Sequence, residues 1–213
     1  SFVKNGTLAT TKTKWTTRKE EDNPAMAYVH NLGSVSNSGK EGFMMLGYDD
    51  IYSIEYMYEK RMGYWKHDGK VTIFDAFEKL RDNYQAIMER CRAFDELIYD
   101  DAEKAGGKKY AEICSASYRQ VISAHKLFTD KEGNLLWFSK ENNSNGCVNT
   151  VDLTYPSAPL FLVYNPELQK AMMTSIFEYS ASGRWNKPFP AHDLGTYPIA
   201  NGQVYGGDMP IEE

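Results

Sequence analysis

Apolar residues fall along this chain in two rhythms. From residue 8 to about residue 65, Thr, Val, Tyr and Met gather in short stretches such as 25–29 and 42–48, with Asn, Ser and Gly at 33–39 between them. Short apolar runs punctuated this way predict β-strands joined as a hairpin, which must lean on a further surface to be stable. After Gly69 the spacing turns helical. Ile73, Phe74, Phe77, Leu80, Tyr84, Ile87, Met88, Cys91 and Phe94 recur every three or four residues with charged residues between them. This predicts one long amphipathic helix that continues or kinks through 95–105 and is closed by Gly106-Gly107.

A second helix is expected over about 109–126, with Tyr110, Ile113, Cys114, Ser117, Val121 and Ile122 as its apolar stripe; the pair would form an αα-hairpin. Turn residues at 129–134 precede the apolar Leu135-Leu136-Trp137-Phe138, read as a short strand. Asn165-Pro166-Glu167 combines an N-cap, a proline at the first helical position and an early acid, so a third helix is expected from there to Gly183. Residues 183–207 show no periodicity, yet they are aromatic and poor in charge. A loop of that length and composition is expected to be ordered and to line something. Asp208-Met209-Pro210 followed by Glu212 and Glu213 reads as the start of another helix, so the polypeptide is expected to continue. The organisation predicted is a β-rich segment over 1–68 and a helical domain over 69–213.

At 213 residues the chain can bury a substantial core. No apolar run approaches the roughly 18 residues of a membrane span. A net charge of -5 argues against nucleic acid as a partner, because a phosphate-tracking surface needs clustered Lys and Arg. The 14% aromatic content suits either a Tyr-rich core or rings gathered where small polar ligands bind. Cys91, Cys114 and Cys147 fit neither a metal knuckle nor a disulfide framework. The chain opens on Ser1 without a basic and apolar leader, so any signal peptide is expected to lie outside it.

Four constellations could carry chemistry. The loop from Ser139 to Gly146, with Thr150-Val151-Asp152 beyond it, sets Lys140, Glu141, Asn145 and Asp152 where they could bind a zwitterion or polyhydroxylated ligand, or simply form a solvated turn. His192-Asp193 pairs a group that titrates near neutrality with a carboxylate, as acid–base hydrolysis requires; a His that satisfies loop carbonyls is the structural alternative. Asp208, Glu212 and Glu213 either complement a helix dipole or supply catalytic carboxylates. Asp49 and Asp50 lack EF-hand spacing, which favours a structural turn. No P-loop, dinucleotide fingerprint, zinc-protease motif or nucleophile elbow occurs, and neither cofactor nor metal is expected.

Many of these blocks, taken in order, resemble the central region of the glutaminase A family. The match runs through Tyr48-Asp49-Asp50, Gly106-Gly107, Phe138-Ser139-Lys140-Glu141, Ser144-Asn145-Gly146, Thr150-Val151-Asp152, Tyr164-Asn165-Pro166-Glu167-Leu168, His192-Asp193-Leu194-Gly195-Thr196-Tyr197-Pro198 and Met209-Pro210-Ile211-Glu212-Glu213. The resemblance implies a mainly α chain, part of a six-hairpin α/α toroid preceded by a β-rich region. It also implies a secreted or periplasmic protein that hydrolyses L-glutamine to L-glutamate and ammonia, with the rest of the parent polypeptide as a partner. On that reading Glu141, Asp152, Asp193 and Glu212 are the catalytic carboxylates, and Lys140, Asn145, His192 and Asp208 bind substrate. Glycoside hydrolysis on a similar toroid and a non-catalytic binding domain are the alternatives.

Overall fold

The computed structural model describes residues 28–141, 143 and 145–206. The expected terminal helix start, with Asp208, Glu212 and Glu213, lies outside them, as do residues 25–27 of the first expected strand. The chain divides into two compact units, Ser1–Leu46 and Gly47–Glu213.

In the first unit the predicted turn is present, closed by the Gly39 N–H donating to the Ser36 carbonyl at 3.0 Å. The hairpin expected around it is not, since residues 28–46 carry no strand. Phe43, Met44 and Leu46 stay exposed. Without a surface to cover one face, such a ladder gains little apolar burial against its ordering entropy.

The strands form later, in the second unit. β1 (Ile54–Tyr56) and β2 (Glu59–Arg61) pair antiparallel through a two-residue turn in which Met57 and Tyr58 have φ of 51° and 68°. This is the left-handed pair that a tight hairpin requires, met here without Asn or Gly. Asn201 holds the strained turn: it accepts the Tyr58 N–H at 2.7 Å and donates to Glu55 at 2.7 Å. β5 (Ile199–Ala200) adds to β1 in parallel, completing a three-stranded sheet.

Among the described residues, five α-helices follow the sequence pattern with three corrections. α1 (Ile73–Asp82) starts on a capping box between Thr72 and Asp75. It stops at Asn83, and α2 (Tyr84–Gly106) begins afresh, so the single long helix is two. Gly107 at φ 79° turns the chain into α3 (Lys108–Ser123). That helix ends three residues before the expected Lys126, because 125–129 joins a ladder: β3 (His125–Thr129) pairs antiparallel with β4 (Leu135–Ser139). The third correction is α4 (Val151–Tyr164), a helix that begins where Thr150-Val151-Asp152 is read with the polar loop. Its two internal prolines and nearly unbroken apolar run conceal any helical stripe. α5 (Pro166–Ala181) starts and stops close to the predicted limits, although Asn165 makes no side-chain capping bond.

The result is mainly helical with small sheets. α2 packs on α3 and α4 on α5, and Phe94, Tyr118 and Tyr164 form an edge-to-face aromatic trio. β4 lies between two cores. Phe138 and Leu136 face Tyr56, Phe128, Val148 and Leu194, whereas Trp137 faces Phe161, Ala171 and Met172. Alternation along a strand sends successive side chains to opposite sides, and here both sides are covered. Among the described residues no helix is long and apolar enough to cross a membrane.

Candidate active site

Two loops that are far apart in sequence form one layer. After β4 the chain leaves through Lys140 and Glu141 and returns, with the Glu141 N–H donating to the Cys147 carbonyl at 3.0 Å and the Asn149 N–H to the Ser139 carbonyl at 3.0 Å. The loop after α5 runs beside it. Val148 N–H donates to Gly195 O at 2.8 Å, Leu194 N–H to Val148 O at 3.0 Å, and Tyr197 N–H to Gly146 O at 3.0 Å. The Val151 N–H at the start of α4 donates to His192 O at 2.9 Å. The long aromatic loop is therefore ordered and is secured to the first loop by its backbone.

Asp193 is the hub of this layer. Fully buried, its Oδ1 accepts the N–H groups of Gly195 at 2.8 Å and Val204 at 3.0 Å; its Oδ2 accepts Tyr205 N–H at 3.0 Å and faces His192 Nδ1 at 3.0 Å. Such a carboxylate folds residues 193–205 into a closed loop. His192 is also buried and stacks on Tyr205 at 4.5 Å.

Cys147 completes a buried set with these two residues, and one donor atom from each lies within 4.8 Å of the others. Thiolate, imidazole and carboxylate are the donors zinc accepts, and the same three residue types can also make up a nucleophilic triad. The geometry opposes a nucleophile. Burial pushes the Cys147 thiol up to about 12, with the nearby charges of Asp193, Glu141 and Asp152 acting in the same direction, so the sulfur stays protonated and enclosed. As they stand, the Asp193 oxygens are committed to hydrogen bonds.

Cys147 thus lies within electrostatic reach of the predicted carboxylates Glu141, Asp152 and Asp193. Their settings differ. Glu141 is half-buried and accepts the Thr150 hydroxyl at 2.8 Å. Asp152 is exposed in the first turn of α4. Asn145 is exposed and shapes the turn by accepting the Cys147 N–H at 2.9 Å. Lys140 is half-buried, its ammonium 4.9 Å from the centre of the Tyr197 ring, which Lys126 approaches to 5.1 Å. Burial and the neighbouring Lys126 lower the Lys140 pKa, against the pull of Asp50. Asp49 binds Lys66 and accepts the Ile51 N–H at 2.9 Å, and Asp50 binds Lys126.

Lys140 and Glu141 stand at a cavity of about 490 Å³, lined also by Gln120, His125, Ser139 and Asn143. Its size lies within the range of roughly 300–1,000 Å³ common for small-ligand sites. His125 escapes the sequence pattern because it falls inside the stretch assigned to the second helix. The available signal is its place after Ser123-Ala124, where the helical stripe runs out. Burial lowers the His125 pKa, which keeps the ring neutral, and its Nδ1 lies 2.6 Å from the Val121 carbonyl. A larger groove of about 570 Å³ between α4, α5 and residues 187–190 is mostly apolar and holds none of the predicted site residues.

Residues 107–213 match the family described as Glutaminase A six helical-hairpin domain, and residues 1–101 match a domain of unknown function, DUF5127. Over 221 aligned positions covering all of this chain, it is 34% identical to Glutaminase A of Aspergillus oryzae, of which it spans 32%. Over 116 positions, 53% of the chain, it is 35% identical to a protein of Arthroderma benhamiae named "Probable glutaminase", of which the match covers 13%. The chain thus spans about a third of the longer match. No solved structure matches it.

Proposed function

The chain belongs to the glutaminase A family, and from that premise we propose that it contributes the substrate cavity of an enzyme hydrolysing L-glutamine to L-glutamate and ammonia. The observation that supports this reading is that Lys140 and Glu141, residues of opposite charge, both line one cavity together with His125 and the buried Ser139. A zwitterionic amino acid needs both signs to be held in one orientation.

In this reading Lys140 pairs with the substrate carboxylate, and Glu141, steadied by Thr150, draws a proton from a water molecule. The water oxygen attacks the carboxamide carbon, the C–N bond breaks, and the proton taken by Glu141 passes to the departing nitrogen, which leaves as ammonia. Asp193 and His192 hold the loop whose backbone is bonded to Gly146 and Val148, and Asn145 holds the turn that precedes them. Asp152 is a further acid of the set; Glu212 as an acid and Asp208 as a substrate ligand rest on the family resemblance alone and lie outside the described residues. The two helical pairs are, on the same reading, part of a six-hairpin toroid in a secreted or periplasmic protein, an assignment that rests on family resemblance.

L-Glutamine titrated into the chain by calorimetry, together with measured ammonia release, tests the proposal. Glu141→Gln is expected to lower kcat by about 10²-fold or more with little change in KM, and Lys140→Ala to raise KM. Unchanged turnover in both variants removes the assignment.

Glycoside cleavage has one observation in its favour. Glu178 accepts the Tyr56 hydroxyl at 2.5 Å in a polar cleft of about 450 Å³ that Asp130 also lines. Burial raises the Glu178 pKa, as a general acid needs. However, both Asp130 oxygens accept hydrogen bonds from Asn134, at 2.8 and 2.7 Å, so the second carboxylate a glycosidase pair needs is committed to its own turn. A glycan panel assayed beside glutamine separates the two readings.

A further inference from the structure

His125 opens β3 and Ser139 closes β4, and the two are direct register partners, so their side chains project from the same face of the hairpin. The His125 Nδ1 lies 2.6 Å from the Val121 carbonyl. A carbonyl oxygen can only accept, so Nδ1 carries the ring proton, and the neutral imidazole presents Nε2 as a bare lone pair. The ring cannot swing away. Trp137 stacks on it at 4.9 Å and 13°, and the Phe161 ring meets it at 5.7 Å and 71°.

Among the described residues neither His125 Nε2 nor Ser139 Oγ has a hydrogen-bond partner, although both atoms are enclosed. Ser139 itself is only 4% exposed. Buried polar atoms are nearly always paired, and those that are not call for an explanation. Both residues line the cavity at which Lys140 and Glu141 stand.

We propose that His125 Nε2 and Ser139 Oγ form the recognition site for a primary carboxamide. The amide NH2 donates to Nε2, and the Ser139 hydroxyl donates to the amide carbonyl. A carboxylate is disfavoured at this position because its lone pairs would oppose that of Nε2, and the ring has no second N–H to offer while Nδ1 is held by Val121. This deepens the glutamine reading, and rests on it for the identity of the cavity as the substrate site. It makes these two residues the basis for distinguishing glutamine from its product.

The test uses the whole 213-residue chain labelled with ¹⁵N, following the His125 ring nitrogens while propionamide or propionate is added at matched ionic strength. Before any addition, Nδ1 should be protonated and Nε2 should resonate as an acceptor nitrogen. Propionamide should shift the Nε2 signal upfield, propionate should not, and Ser139→Ala should weaken the propionamide response about fivefold, as loss of one neutral hydrogen bond does. Ser139→Ala is the main variant because removal of the stacked His125 ring could unfold the core. Protonated Nε2, an Nε2 signal unmoved by propionamide, or an equal response to propionate overturns the proposal, even where glutamine is hydrolysed. An Nε2 that answers propionamide in a chain that neither binds nor hydrolyses glutamine keeps the carboxamide site and removes the glutaminase reading.

Discussion

The Thr150 hydroxyl donates to the Glu141 carboxylate at 2.8 Å, and the next peptide N–H, that of Val151, donates to the His192 carbonyl at 2.9 Å. One turn of chain at the head of α4 thus ties the proposed general base to the loop built around Asp193. Thr150 is fully buried, so this tie is shielded from competing water.

Thr150→Val keeps the shape of the side chain and removes its donor. A hydrogen bond to a charged acceptor contributes about 1.5–3 kcal/mol, less where the acceptor is only half-buried, so urea unfolding should show a loss near the lower end of that range. If ammonia release falls by an order of magnitude while KM holds, Thr150 acts by positioning Glu141. Equal kcat in variant and wild type would confine it to a structural role.

Asp193→Asn replaces an acceptor oxygen by an NH2 group facing N–H donors from Gly195, Val204 or Tyr205, depending on its orientation. A buried donor set against donors should cost about 3 kcal/mol or more. Hydrogen exchange is the sensitive readout. The three amides should lose protection together, and protection retained at all three would show that the loop closes without the carboxylate.

Gly195 explains the glycine of the His192-Asp193-Leu194-Gly195 block. Its φ is 138°, and a Cβ there would lie 2.1 Å from the Ile199 carbonyl oxygen. Since that oxygen is backbone, Gly195→Ala must displace β5 from β1, at a cost of about 3 kcal/mol or more. A thermal midpoint within a degree or two of wild type would contradict this packing.

Glu178 gives a pH signature. Burial raises its pKa above the ordinary 4.5, more than the Tyr56 hydrogen bond lowers it, and Asp130 adds to the rise. A carboxyl raised on folding binds more protons in the native state, so its contribution is fully present below the unfolded pKa and is lost as pH climbs from about 4.5 through the raised value. Glu178→Gln, permanently neutral, should flatten that part of the stability profile. Identical slopes for the two proteins above pH 4.5 would show that the proton is not held there.

Much of the helical frame was legible because its causes are local. The stripe from Ile73 to Phe94, the glycine turn at 106–107 and the Asn165-Pro166-Glu167 start act over one or two turns of chain; they led to α3 and α5 within a few residues, and to α1 and α2 without the break at Asn83. The order of residues 183–206 was legible from charge-poor, aromatic composition. The Met57-Tyr58 turn was not, because its left-handed backbone is held by Asn201, more than 140 residues away. α4 was hidden by its own prolines.

By itself, then, the sequence determined where α3 begins and where α5 begins and ends, that residues 183–206 are ordered, and which blocks carry the family resemblance. Only the tertiary structure decided that Asp193 spends its oxygens closing a loop, that Glu141 answers to Thr150, and that His125 meets Ser139 across a ladder. The division is physical. Periodicity and backbone preference are properties of neighbours along the chain, whereas the duty of a polar side chain depends on which donors and acceptors folding brings within about 3 Å of it.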